Sequence, residues 1–374
     1  MDIKTVLKTS VAAGALFALA APVAGVAEAG GIKQKNSKID LTVSGQIVRG
    51  LLYADDGDNS QLFNVDGRTT GTRVRYIVSG QLTESVKVGG LIEHDVGQSN
   101  DSFSFATTTG NDSSADSTAF GIRHHFVSFT HKSMGKLSLG QTNTASNGIM
   151  EHKLDTSGST VLGGATTLSN IQFTTGANGA FTGLTAAGET STFDGLSRDD
   201  VIRYDTPKFA GFGLATSMQD EGTFDVALRY SGSFAGIKIK GGAYYANVEA
   251  GGGGQQGGGS VAFMHSSGLH ARVGYAGSTA EGTGRSPSVT LASVGYQGKF
   301  SSLGSTNIFF DWYGAEDVAV AGNEMDTYSV GVVQKLDSIG SEMSLMYSKH
   351  TLDDTANSDY NDIDTVYFQT KLNF

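Results

Sequence analysis

The sequence predicts an all-β fold, a transmembrane antiparallel up-and-down β-barrel of about sixteen strands. Three observations lead there. From residue 39 onward, short segments of alternating apolar and polar residues are separated by Gly, Ser, Asn and Asp clusters, with almost no helical periodicity. The gaps between these segments alternate between short and long, as expected of a barrel with tight turns on one rim and long loops on the other. The chain has 52 Gly, 3 Pro and no Cys, and no proline falls inside a predicted strand, where it would remove a ladder hydrogen bond.

The amino terminus is a separate element. Lys4 and Lys8, the apolar stretch Val11 to Val23 and the site Ala27-Glu28-Ala29 form the charge, core and cleavage pattern of a secretory signal peptide over 1–29. Its apolar run is short of the roughly 20 residues a spanning helix needs, so 30–374 is read as the barrel domain. Strands are predicted near 39–54, 71–82, 86–96, 120–131, 136–142, 199–205, 211–219, 223–232, 236–248, 260–266, 269–276, 288–299, 305–313, 326–336, 341–351 and 363–374. The gaps after odd-numbered strands are 55–70, 97–119, 143–198, 220–222, 249–259, 277–287, 314–325 and 352–362, of which 220–222 is anomalously short. Even-numbered strands are followed by a few residues each, such as Ser266-Ser267-Gly268. The stretch Gly251 to Gly259 has no following Lys-Ser/Thr and no strand-to-helix context, so it reads as a flexible loop and not a phosphate loop.

The two faces separate best in the last strand. Val366, Phe368, Thr370, Leu372 and Phe374 form one row, and Thr365, Tyr367, Gln369, Lys371 and Asn373 the other. Such alternation leaves the average polar, and the mean hydropathy of -0.14 is neutral between a membrane barrel and a soluble protein. In the first strand Arg49 shares its parity with Leu41, Val43, Ile47 and Leu51; a bulge near Gly50 is expected to turn it inward. The net charge of -11 argues against nucleic acid as a partner. The absence of cysteine rules out a disulfide framework.

Several segments resemble the general diffusion porins of Gram-negative bacteria, in particular the sixteen-stranded porins of proteobacteria. IDLTVSGQIVRGLLYADDG (39–57) is similar to their opening strand and first loop, and TRVRYIVSGQLTESVKVGGLIE (72–93) to the next hairpin. IRHHFVSFTHKSMGKLSLGQ (122–141) resembles the hairpin before the third loop, and DVIRYDTPKFAGF (200–212) their Arg-Tyr-Asp-Ser-Pro turn, with Thr206 in place of Ser. The resemblance implies an outer-membrane homotrimer, surrounded by lipid and lipopolysaccharide, that passes small hydrophilic solutes and ions. It also implies a third loop, here 143–198, folded into the lumen as a constriction, and a terminal Phe374 read by the outer-membrane assembly machinery.

Selectivity in such a pore comes from charges lining a narrow aqueous slot. Arg73 and Arg75 lie two apart, opposite Val74 and Tyr76, so both are expected in the lumen, as is Arg203 by the same parity against Ile202 and Tyr204. Arg49 and Arg123 are further candidates. Glu151 and Asp155 are the acidic candidates on the third loop, four residues apart and within one turn if that loop is helical. The acidic total suggests cation preference. No catalytic residues are expected: His124, His125, His131 and His152 have no nucleophile in a recognisable pattern, and His124 and His125 should face opposite sides of the sheet. No cofactor is expected either, although Asp353-Asp354, Asp359 to Asp364 and Asp112 to Asp116 are candidate calcium ligands at the outer rim. The alternatives to an open diffusion pore are a substrate-specific channel and a plugged barrel serving as adhesin or structural anchor.

Overall fold

The computed structural model describes residues 31–33, 38–67, 70–96, 120–156, 171–176, 179–219, 222–247, 254–279, 284–355 and 359–374. The predicted signal peptide 1–29, the loop 97–119 with Asp112 to Asp116, and 157–170 of the longest gap lie outside the described residues.

Twenty strands follow in order: β1 (Gly31–Lys33), β2 (Ile39–Asp55), β3 (Ser60–Asp66), β4 (Arg73–Gln81), β5 (Val86–Val96), β6 (Phe120–His131), β7 (Gly135–Asn143), β8 (Gln172–Thr175), β9 (Ala180–Thr185) and β10 (Arg198–Asp205). They continue with β11 (Phe212–Met218), β12 (Phe224–Phe234), β13 (Ile237–Asn247), β14 (Gln255–His265), β15 (Leu269–Thr279), β16 (Ser288–Ser301), β17 (Gly304–Glu316), β18 (Glu324–Leu336), β19 (Ser341–Asp353) and β20 (Ile363–Asn373). All but β8 and β9 join one antiparallel sheet. β1 is a short addition to β2, and β3 and β4 pair with the upper and lower halves of β2 as two pieces of one stave. The result is a closed sixteen-stranded barrel. Closure abolishes the unpaired edges that lipid would otherwise leave unsatisfied.

The seam joins β2 to β20 without interruption, from Gln46↔Asn373 to Asp55↔Asp364. It ends in a reciprocal backbone pair: Gly45 N–H donates to the Phe374 carbonyl at 2.8 Å and Phe374 N–H to the Gly45 carbonyl at 3.1 Å. A side chain at Gly45 would collide with the Phe374 ring, so the chain end is fitted against a glycine.

Each predicted strand has a counterpart, and the differences lie in the gaps. The 55–70 gap contains β3, and Gln255 to Gly259, expected to be loop, is the first half of β14. That glycine run is paired on both sides, with β13 and β15, and a Cβ at Gly258 would run into Ala276. These glycines therefore serve close strand packing and not looseness.

The outer face is an apolar band of exposed side chains that includes Ile47, Leu51, Ile92, Val127, Leu139, Ile202, Leu228, Val273, Val294, Ile308, Val330 and Leu372. Aromatic residues flank it: Phe209, Tyr230, Phe234, Tyr296 and Phe300 near the short turns, and Tyr275, Trp312 and Tyr328 toward the long loops. This is the surface of a lipid-embedded barrel. Inside, two apolar clusters pack parts of the longest gap onto the wall. Ala145, Ile149, Met150 and Phe193 meet a wall of small or flat residues on β11 to β17, among them Ala215, Ala227, Tyr244, Ala276 and Leu291. Ile171, Phe173 and Ala186, around the β8–β9 hairpin, pack with Leu52, Phe63, Met346, Ile363 and Tyr367.

Candidate functional site

The charged part of the lumen starts with strand alternation. On β4, Arg73 and Arg75 pair with Gln46 and Ser44 on one side and with Asp95 and Glu93 on the other, so guanidiniums and carboxylates meet directly across the ladder. β6 adds a third cation by irregular pairing. Glu93 pairs with His124 but His94 with Ile122, so Arg123 is the extra residue of a β-bulge and turns inward beside His124. Arg123 Nε donates to Glu93 at 2.8 Å and Nη1 to Asp95 at 3.3 Å; Arg75 donates to Glu93, and Arg73 lies 3.4 Å from Asp95. Glu93 is only 4% exposed and is shared by all three arginines. Buried carboxylates require such pairing. Arg198, at the start of β10, lies within electrostatic reach of this cluster and also of Asp194 and Glu151.

Residues 144–156 lie against the inward face of β11 to β17. Asp225 on β12, fully buried, accepts the backbone N–H of Ala145 at 3.2 Å and of Ser146 at 2.7 Å, together with the hydroxyls of Ser146 and Ser217. Arg229 donates to the carbonyls of Ala145 and Asn147, and Ser260 to that of Ile149. Farther along, Thr156 N–H donates to Gln297 at 2.8 Å and Asn307 to Asp155 at 3.2 Å. The Tyr244 hydroxyl donates to the Phe193 carbonyl at 2.6 Å.

The sequence-derived candidates separate in this geometry. Arg73, Arg75 and Arg123 come together. Arg203 faces inward as expected, but its guanidinium is taken up by a bidentate pair with Asp205, at 2.7 and 3.0 Å, and by the carbonyls of Asn143 and Thr144. Arg49 must be corrected: no bulge interrupts β2 at Gly50, so Arg49 stays on the outer face with Ile47 and Leu51 and donates to Asn64 at 3.1 Å. Glu151 and Asp155 share no helical turn, because 144–156 contains no helix. Glu151 faces Asp194 and Arg198, whereas Asp155 is docked against Asn307, with His270 at 4.0 Å. Burial, reinforced by Asp194, pushes the Glu151 carboxyl above its ordinary range, and burial does the same to Asp194. Burial pulls the Lys153 ammonium down to about 8. His124 faces inward and bonds Thr142 at 3.3 Å, while His125 takes the opposite face.

Asp225, Arg229 and Arg198 were not singled out in the sequence. For Asp225 and Arg229 the signal was present: they alternate with Val226, Leu228 and Tyr230 as Arg73 and Arg75 alternate with Val74 and Tyr76. Among the described residues, no group of three or more His, Cys, Asp or Glu side chains could hold a metal ion. At the rim, Asp354 accepts the Tyr360 hydroxyl and Asp362 pairs with Lys349 at 2.7 Å.

A closed barrel with an apolar exterior and a charged interior defines an outer-membrane channel. The chain belongs to the Gram-negative porin family, whose family model matches residues 11–355. It is an outer-membrane protein of the diffusion-channel class. Among solved structures it is similar to the trimer form of in-vitro folded OmpT, an outer-membrane protein of Vibrio cholerae (12% identity, 90% of this chain and 100% of that one, TM-score 0.56). It is also similar to the anion-selective porin of Comamonas acidovorans (12%, 90% and 100%, 0.57) and to Salmonella typhi OmpF (14%, 92% and 100%, 0.57). At these identities the likeness carries the fold. No curated protein matches the chain.

Proposed function

We propose that solutes diffuse through a passage bounded on one side by Arg73, Arg75 and Arg123 and on the other by the loop 143–198, which acts as the constriction. The observation that supports this most is the docking of 144–156 on Asp225 and Arg229, which holds the loop against the inner wall. Glu151 and Asp194, within reach of Arg198, supply the acidic side opposite the arginines. The function is passage of small hydrophilic solutes and ions, not catalysis. Replacing Arg73 and Arg75 by Gln is expected to change the ion selectivity of single channels; unchanged selectivity would remove both from the passage.

The working unit in this reading is a homotrimer, supported by the trimer form of the Vibrio cholerae relative. Export by the segment 1–29 and recognition of Phe374 by the assembly machinery complete it. No cofactor takes part, and calcium at Asp353, Asp354 and Asp359 to Asp364 would act on lipopolysaccharide contact and not on permeation.

A further inference from the structure

A second group of cations lines the inner wall away from the Arg73–Arg75–Arg123 cluster, and carboxylates do not balance it. Lys136 on β7, Arg203 on β10, Arg229 on β12, and Lys238 and Lys240 on β13 all occupy inward positions. The register fixes this: Lys136 pairs with Asp205, Arg203 with Ser138 and Ser217, Arg229 with Gly242, Ser231 with Lys240 and Ser233 with Lys238. The group begins at 145–152, where Arg229 holds two loop carbonyls and both Arg229 and Lys240 act electrostatically on His152. It ends at the short-turn rim, where Lys238 lies two residues past the Ala235-Gly236 turn. The group thus runs from the level of the loop to the short-turn rim along this side of the wall.

The carboxylates nearby are already engaged. Both oxygens of Asp205 accept from Arg203, and Asp225 is occupied by the Ala145 and Ser146 amides and two hydroxyls. Lys238 and Lys240 are exposed and form no ion pair among the described residues, and Arg229 Nη1 is buried with no hydrogen-bond partner among them. By contrast, Arg73, Arg75 and Arg123 share two carboxylates and are nearly neutralised. Other carboxylates face away from the lumen: Glu316, Glu324, Asp326, Asp353 and Asp364 sit on outward positions at the long-loop rim. The net charge of -11 sums rim and passage and does not give the sign of this stretch of wall.

We infer that the channel prefers anions, and that Lys238 and Lys240, with the charge of Arg229 behind them, form a contact station for small oxoanions of the phosphate type on the short-turn side of the loop. By register Lys240 lies about 7 Å from Lys238 along β13 and about 8 Å from Arg229 across the ladder, so each charge is within roughly one screening length of the next in physiological salt. A passing anion meets their summed field, strengthened by the low-dielectric wall.

This inference rests on the channel reading, and one experiment separates the two. The purified full chain is reconstituted in planar bilayers across a potassium chloride gradient, and the reversal potential is read for wild type and for the double variant Lys238→Glu, Lys240→Glu. Both lysines are exposed, so the variant barrel is expected to fold and remain an open channel. Wild type is expected to pass chloride in preference to potassium, and the variant to lower that ratio by roughly fivefold or more. Added inorganic phosphate should reduce the chloride current of wild type and leave that of the variant unchanged. Potassium preference in wild type, or the same ratio in the variant, overturns the inference while leaving the channel intact. A folded barrel that passes no current overturns the channel reading itself.

Discussion

Asp225 shows what a single residue does in this barrel. A fully buried carboxylate is tolerated here because two amides and two hydroxyls from two segments donate to it. Asp225→Ala leaves those donors without their acceptor, at a cost of about 3 kcal/mol. The expected outcome is a raised single-channel conductance and new proteolytic cleavage within 144–156, and an unchanged conductance would show that Asp225 does not hold the loop. Gly45 is the counterpart at the seam. Gly45→Leu is expected to displace the Phe374 ring and lower the yield of folded barrel, read as the heat-modifiable band on a gel. At this scale the sequence was readable where parity alone decides, as for Arg73 and Arg75. It misled for Arg49, because an arginine among apolar neighbours invites a bulge that the unbroken β2–β20 ladder does not contain. At Arg123 the reverse happened: a real bulge turned it inward, and bulges leave little trace in a single sequence.

Among the elements, the strands were legible and the loops were not. Strand limits follow from alternation and turn residues, which are local signals. The path of 144–156 depends on Asp225, Ser260, Gln297 and Asn307, contributed by four strands far along the chain. No local pattern encodes such contacts, and the condition under which Glu151 and Asp155 would share one turn, a helical loop, is not met. The glycine run of β14 was misread because composition cannot distinguish a free loop from a tightly paired strand; Gly258→Val is expected to clash with Ala276 and to reduce folding yield. The same loop carries a titration. Burial, aided by Arg272 and opposed by Asp155, Glu151 and Glu342, holds Lys153 at about 8, below its ordinary 10.5. The unfolded chain therefore binds more protons at this lysine between those two values, so its contribution to stability rises with pH across that window. Its charge is present below about 8 and lost above, so the preference for anions is expected to fall as pH rises through that value. Reversal potentials measured across this pH range check it, and Lys153→Met should flatten the step.

The whole molecule is organised by charge as well as by hydrophobicity. Lipid-facing residues form the band, acidic groups gather at the long-loop rim, and cations line the wall below the loop. Composition alone pointed toward cations because it sums all three regions; only the register assigns each charge to a surface. The family and the barrel were legible from the alternating gaps and the four resembling segments, since both are written along the whole chain. Such an arrangement makes the barrel a conductor of ions. The purified chain, folded and inserted in a planar bilayer, should give stepwise currents whose size scales with the conductivity of the electrolyte. A correctly folded barrel that gives no such steps would show that its lumen is closed.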